Sequence, residues 1–258
     1  MSAPALRSVP LQGARYQVLH DTHYRYATPV SLSRQLAHLW PRECAWQACH
    51  ERALLIEPGP SRREDGHDAF GNPLSRLAFE RPHEALRVSA RLQVEVFAHA
   101  PAQLTASPAW ETVAAGLAFS GRALSAAELE ACRYRVESPY VRIQRRFAEF
   151  AADCFPPGRP LLVAARYVSG YLLTRPPPGQ ARLIGADASH AWVSLYCPEN
   201  GWVDFDPTND LLPDLEHITL AWGRDFSDVS PLRGVILGGG SHDPEVRVTV
   251  LPLRETAG

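Results

Sequence analysis

His190 and Asp206 stand on either side of one reverse turn in DASHAWVSLYCPENGWVDFDPTND, residues 187–210. Together they could be two members of a nucleophile–base–orienter set. The carboxylate would accept from one imidazole nitrogen, fix the tautomer and favour the ring once it takes up a proton. Such a set works only if a thiol or hydroxyl comes within hydrogen-bond reach of the imidazole. The plainer alternative is a hydrogen-bonded histidine on a sheet, with Asp206 opening an Asp-Pro turn.

Which alternative holds depends on strand register. In an extended strand His190, Trp192, Ser194 and Tyr196 point to one side, and Trp202, Asp204 and Asp206 share a side beyond the turn. A four-residue loop, 198–201, would pair Cys197 with Trp202 and put His190 and Asp206 on opposite faces. A five-residue loop, or one bulge, pairs Tyr196 with Trp202 and makes His190 and Asp206 diagonal neighbours on one face. The chemical reading therefore requires an odd loop or a bulge. Trp192, Trp202 and Asp204 would then line the site, with the indoles shielding the pair from water.

The elements that must hold this hairpin are mostly strands. YQVLHDTHYRY (16–26) alternates by twos, with Tyr16, Val18, His20, Thr22, Tyr24 and Tyr26 on one face. ERALLIEP (51–58), SRLAFERP (75–82) and ALRVSARLQVEVFAH (85–99) continue the pattern, and DAFGNP between them reads as a turn. SAAELEACRYRVE opens as a capped helix with Ser125 as cap and Glu128 three residues on, and YVRIQRRFAEFAADC (140–154) has helical period. FPPGRP ends that helix. From residue 163 the chain is strand again. The ILGGG run (236–240) is not followed by Lys-Ser/Thr or a helix, so it reads as a bend or a close strand approach and not as a phosphate cradle. The fold class is α+β: a β-sandwich-like region over 1–100, a helical connector over 101–155, and an antiparallel sheet over 156–258.

Composition narrows the classes. Apolar content of 45% with 21% charged residues fits a globular protein, and a net charge of −2 gives no drive toward nucleic acid or an anionic membrane. No apolar run reaches spanning length, and the first residues lack the apolar core of a secretory signal. Five cysteines without CxxC spacing (44, 49, 132, 154, 197) are expected to be reduced thiols of a cytoplasmic protein. No metal or cofactor is expected: His190, Asp204 and Asp206 have no third ligand of diagnostic spacing.

ARYVSGYLLT, DASHAWVSLYCPENGWVDFDPTND and HITLAWGRDFSDVSPLRGVILGGG resemble the second half of the transglutaminase-like core. YRYATPVSLSRQLAHLWPR, DAFGN and RVSARLQVEV resemble the bacterial transglutaminase-like N-terminal region. The resemblance implies a papain-like Cys, His, Asp order, with His190 as general base and Asp206 as orienting carboxylate. It also implies cysteine chemistry on a peptide or protein amide: amidase, protease or acyl transfer.

The nucleophile is the departure. A GxCxDFA-like phrase, at the start of a helix just before ARYVSGY, belongs to the resembled pattern; here FAADCFPPGRPLLVA leads directly into that strand. The core reads as internally shortened and the protein as a pseudoenzyme or a strongly impaired one. Cys154 is the stand-in to consider, but it lies at the C-terminal end of its predicted helix, where the dipole disfavours a thiolate. Asp153 adds a like charge, and Pro156 and Pro157 offer no N–H donors. Cys197 faces away from His190 by parity, Cys44, Cys49 and Cys132 lie outside the resembled core, and Ser189 and Ser194 sit too close along the strand to aim at the ring.

Overall fold

Alternation by twos carries further than residues 16–26: the first strand, β1, spans Gly13–Ala37, and its residues 16, 18, 20, 22 and 26 are buried. The structure is a computed structural model and describes residues 13–99, 107–118, 121–159, 164–175 and 189–253. After β1 come β2 (Gln47–Glu57), β3 (Arg62–His67), β4 (Pro73–Phe79) and β5 (His83–Phe97). The helices α1 (Trp110–Gly116), α2 (Ala126–Cys132) and α3 (Arg145–Ala151) follow. The remainder is β6 (Ala165–Leu172), β7 (Ser189–Cys197), β8 (Gly201–Phe205), β9 (His217–Gly223), α4 (Phe226–Val229), β10 (Leu232–Gly238) and β11 (His242–Leu253). The fold is α+β, dominated by antiparallel sheet.

The first sheet has seven strands built as four bent ribbons. β4 and β5 run end to end along one edge of β1, and β10 and β11 run end to end along its other edge. β3 and β2 flank β4 and β5 in the same way. Each ribbon carries proline or glycine where it changes direction: Pro29 in β1, Pro58 to Pro60 between β2 and β3, Pro82 between β4 and β5, and Gly238 to Gly240 between β10 and β11. These residues interrupt pairing without ending the ribbon. The three glycines have φ of 92°, 86° and 61°, and a Cβ on Gly239 would lie 2.9 Å from Val30, so ILGGG is a bend against β1, as expected. The stretch 156–258 thus contributes to both sheets, because β11, His242–Leu253, pairs with β1 across twelve positions.

The second sheet has the order β8-β7-β6-β9. One of its faces, through Tyr171, Ile218 and Leu220, joins the core made by Val18, Leu86, Val88, Leu92 and Val250 of the first sheet. Each fully buried aliphatic side chain there contributes roughly 1.5–3 kcal/mol. Polar groups span the joint as well. His20 of β1 bonds the Tyr171 hydroxyl at 2.9 Å through Nδ1 and Thr22 Oγ1 at 3.0 Å through Nε2.

The outer edge of β9 is met by two side chains of the first sheet, one at the start of β2 and one in the turn between β3 and β4. The Gln47 amide donates to the Thr219 carbonyl at 2.8 Å and accepts from the Thr219 N–H at 2.8 Å. The Asn72 amide does the same for Trp222, at 2.7 and 2.9 Å. Each amide stands in for one residue of a neighbouring strand. DAFGNP is the expected turn, with Gly71 at φ 77°, but its asparagine also serves as this edge clamp.

On the opposite face of the second sheet, Val113, Leu117 and Ala131 from the α1–α2 region pack against Tyr196. The Ser125–Glu128 capping box is present at α2. The helix expected over 140–154 is shorter: α3 begins at Arg145 and buries none of its residues. No helix among the described residues is long and apolar enough to cross a membrane.

Candidate functional site

Strand register brings His190 and Asp206 together. Tyr196 pairs with Trp202 and Cys197 with Gly201, so the turn is the odd one. Gly201, at φ 71°, closes it. His190 and Asp206 then share a face, with His190 Nε2 2.7 Å from Asp206 Oδ2. Opposite His190 on β6 is Gly170. A Cβ there would lie 2.6 Å from the Trp192 ring and 2.1 Å from the Ile218 carbonyl, so glycine lets the indole lie flat across β6 beside the imidazole.

The carboxylate of Asp206 does two jobs, one with each oxygen. Oδ1 accepts from the backbone N–H groups of Thr208 and Asn209 at 3.0 and 3.2 Å, folding the DPTND loop back on itself. That is the Asp-Pro turn of the plainer reading. Oδ2 accepts from His190, from His217 Nε2 at 3.0 Å and from the Asn209 amide at 2.7 Å. One carboxylate thus makes both the turn and the contact with His190. Burial pushes the Asp206 carboxyl upward, but the bonds from Asn209, His217 and His190 outweigh it and hold the group well below the usual carboxylate range. Burial also pushes His217 below the ordinary imidazole value, against the pull of Asp206.

His217 and Asn209 are site residues that spacing did not single out. His217 reaches this face because β9 carries an extra residue. Ser169 pairs with Ala221 and Gly170 with Thr219, skipping Leu220. Without that bulge His217 and Trp222 would lie on opposite faces. The sequence carries no mark of the bulge, although His217 begins the HITLAWG phrase. Asn209 had a weaker signal, a side-chain amide three residues beyond an Asp-Pro step.

The other expected residues divide. Trp192 lies beside His190, with ring centroids 6.2 Å apart, and donates its Nε1–H to Asp204 Oδ2 at 2.9 Å. Trp202 is drawn elsewhere: it packs on Tyr196 and Tyr134, with the Arg166 guanidinium 4.3 Å from its ring centroid. Arg166 is buried and has the Trp222 ring as a second neighbour at 3.6 Å. The expected shield of two indoles is thus one indole, Trp192.

All five cysteines are free. Cys154 is exposed beyond α3, and Cys197 lies at the turn, bonded to the Asn200 amide at 3.0 Å. Cys49 and Cys132 donate to the carbonyls of Glu51 and Leu117. Cys44 packs in the cluster containing Trp192 and Trp222, and burial pushes its thiol up to about 11. Among the described residues, none of these sulfurs hydrogen-bonds to His190.

Asp206 is an acceptor only, so it selects the Nε2–H tautomer of His190 and leaves Nδ1 as the basic nitrogen. This is the arrangement of a general base held by a carboxylate. His190, Asp206 and His217 are also the group of described residues able to hold a metal ion, with ligand atoms within 4.8 Å of one another. Their arrangement is that of an anion among donors, since one carboxylate oxygen sits at hydrogen-bond distance from three nitrogens.

Comparison with known proteins agrees with the resemblance seen in the sequence. Residues 16–95 match the bacterial transglutaminase-like N-terminal region, and residues 158–207 match the transglutaminase-like superfamily core. An uncharacterized protein of Mycobacterium tuberculosis is 32% identical over 320 aligned positions, covering 100% of this chain and 99% of the relative. One of Mycobacterium leprae is 26% identical over 286 positions, covering 93% and 99%. A crystal structure of a Cytophaga hutchinsonii protein assigned as a cysteine protease superposes with a TM-score of 0.55 at 17% identity, covering 96% of this chain and 93% of that one.

Proposed function

We propose that this chain, which belongs to the transglutaminase-like family, keeps the base and carboxylate of a Cys-His-Asp site without a thiol delivered to them. On this reading it is inactive or strongly impaired in acyl transfer. The observation that carries the reading is the set of sulfur environments: among the described residues no cysteine sulfur hydrogen-bonds to His190, Cys154 is exposed, and Cys44, packed in the Trp192 cluster, is held as a neutral thiol by burial. Length supports it. The alignment with the Mycobacterium tuberculosis relative runs over 320 positions against 258 residues here, so that relative has several dozen residues without counterpart in this chain. The absence of a GxCxDFA-like phrase before ARYVSGY agrees.

The rival reading is an active cysteine amidase, protease or acyl-transferase acting on peptide or protein amides. Its support is the geometry of the base, with Nε2 of His190 anchored on Asp206. Turnover separates the two. With glutaminyl and asparaginyl peptides as acyl donors and hydroxylamine as acceptor, hydroxamate should form no faster with the protein than with its His190→Ala variant. Hydroxamate formation that is lost in His190→Ala, while the circular dichroism melt is unchanged, sinks the inactive reading.

A further inference from the structure

We infer that two copies of this chain pair through α3, antiparallel about a two-fold axis. The inference rests on the helix itself and not on the reading of the His190 site. α3 has none of the supports that its neighbours have. α1 buries Val113, and α2 buries Ala131 and has a capping box, whereas α3 buries nothing and Gln144 makes no capping bond. A helix of this length is marginal alone in water and persists through packing of its apolar face.

That face is present and open. Phe147 and Phe150 lie three residues apart on α3, and Tyr140, Val141 and Ile143 lie in the non-helical segment that leads into it. Phe150 is 86% exposed, Ile143 70% and Tyr140 71%. A contiguous set of large exposed apolar side chains marks a docking surface.

The charge order identifies the occupant as a second copy. Arg142, Arg145 and Arg146 precede the middle of the face, and Glu149 and Asp153 follow it. This order opposes the helix's own dipole, which favours acids first and bases last. Turned antiparallel, the basic half of each copy lies over the acidic half of the other, and Phe147 and Phe150 meet across the axis. The arginines then also stand beside the other helix's carboxyl end. The bond between Arg145 and Glu149 within one copy is highly exposed, so exchanging it costs little.

Light scattering on the full chain, from micromolar to sub-millimolar protein, should show the mass rise from 28.5 kDa toward twice that value. Phe150→Glu should weaken self-association at least tenfold with an unchanged melting curve, because the side chain is already in solvent. Reversing the basic half (Arg145→Glu with Arg146→Glu) should weaken it comparably, and adding Glu149→Arg and Asp153→Arg should restore it. A mass of 28.5 kDa at every concentration overturns the inference, as does a dimer indifferent to Phe150→Glu. A dimer that the paired reversals do not restore overturns the antiparallel arrangement.

Discussion

Asp206→Ala should lower the unfolding free energy by about 3–5 kcal/mol, the range expected when one member of a buried charged network is removed and the others stay behind. Five donors lose their acceptor at once: two imidazoles, the Asn209 amide and two backbone N–H groups. Asp206 is 1% exposed and His217 5%, so water cannot reach the carboxylate and that imidazole without opening the loop, although the Asn209 amide lies at the surface. Asp206→Asn keeps an oxygen for the backbone donors but turns an N–H toward the imidazoles, and should cost about 1–3 kcal/mol. Urea unfolding followed by tryptophan fluorescence, with the slope checked for constancy, measures both. A loss below about 1 kcal/mol for the alanine variant would mean that the carboxylate is not the hub of this network.

The second large effect is on pH dependence. His20 is 1% exposed between the two sheets, and burial pushes its pKa down to about 4 against the weak pull of Asp21. A base with a depressed folded value stabilises the fold fully above its unfolded value, near 6.5, and loses that stabilisation as pH falls toward the folded one. Between pH 6.5 and 4 the protein should therefore lose up to about 3 kcal/mol, and His20→Gln should flatten that limb. His217, also pushed down by burial, adds in the same direction. A second limb follows below about pH 4, where Asp206 and Asp225 must take up protons. Burial opposes ionisation of Asp225, but bonds from Ser138 and Ser227 lower it to about 2, so its contribution is present above the unfolded carboxylate value and drains below it. Equilibrium urea midpoints taken at half-unit steps from pH 7.5 to pH 3 test both limbs. A flat profile from 6.5 to 4 in the wild type would contradict a buried neutral His20.

Period-two alternation was legible because one face of β1 is buried from Tyr16 to Tyr26, with Tyr24 alone partly open. The continuity of the bent ribbons was not, since Pro29, Pro58, Pro82 and the Gly238 run read locally as ends of strands. In the folded chain they are corners, held in register by pairing with distant ribbons. The His190–Asp206 contact could be reduced to a choice between even and odd turns, and only the full ladder makes that choice. His217 depended on a bulge at Leu220, which no local residue preference announces. Gln47 and Asn72 are invisible for a related reason: an amide that completes another strand's edge is defined by what lies opposite, some 150 residues or more away in sequence. Parity gives a side chain's face but not its neighbour: Trp202 packs in the cluster that holds Trp192, against Tyr196, Tyr134 and the Arg166 guanidinium.

Whether any sulfur is paired with the His190 imidazole can be read from the alkylation kinetics of the five thiols. Iodoacetamide labelling followed by peptide mass analysis, at each pH from 5 to 10, gives a rate for every cysteine. None of the five thiols should show a fast phase at pH 5–6, and none should change its rate in His190→Ala. Cys44 should be the slowest, since burial holds it up to about 11. A cysteine that is alkylated rapidly at pH 5–6, and slows at least tenfold in His190→Ala, would instead be a thiolate paired with that ring, in a site that has kept its nucleophile.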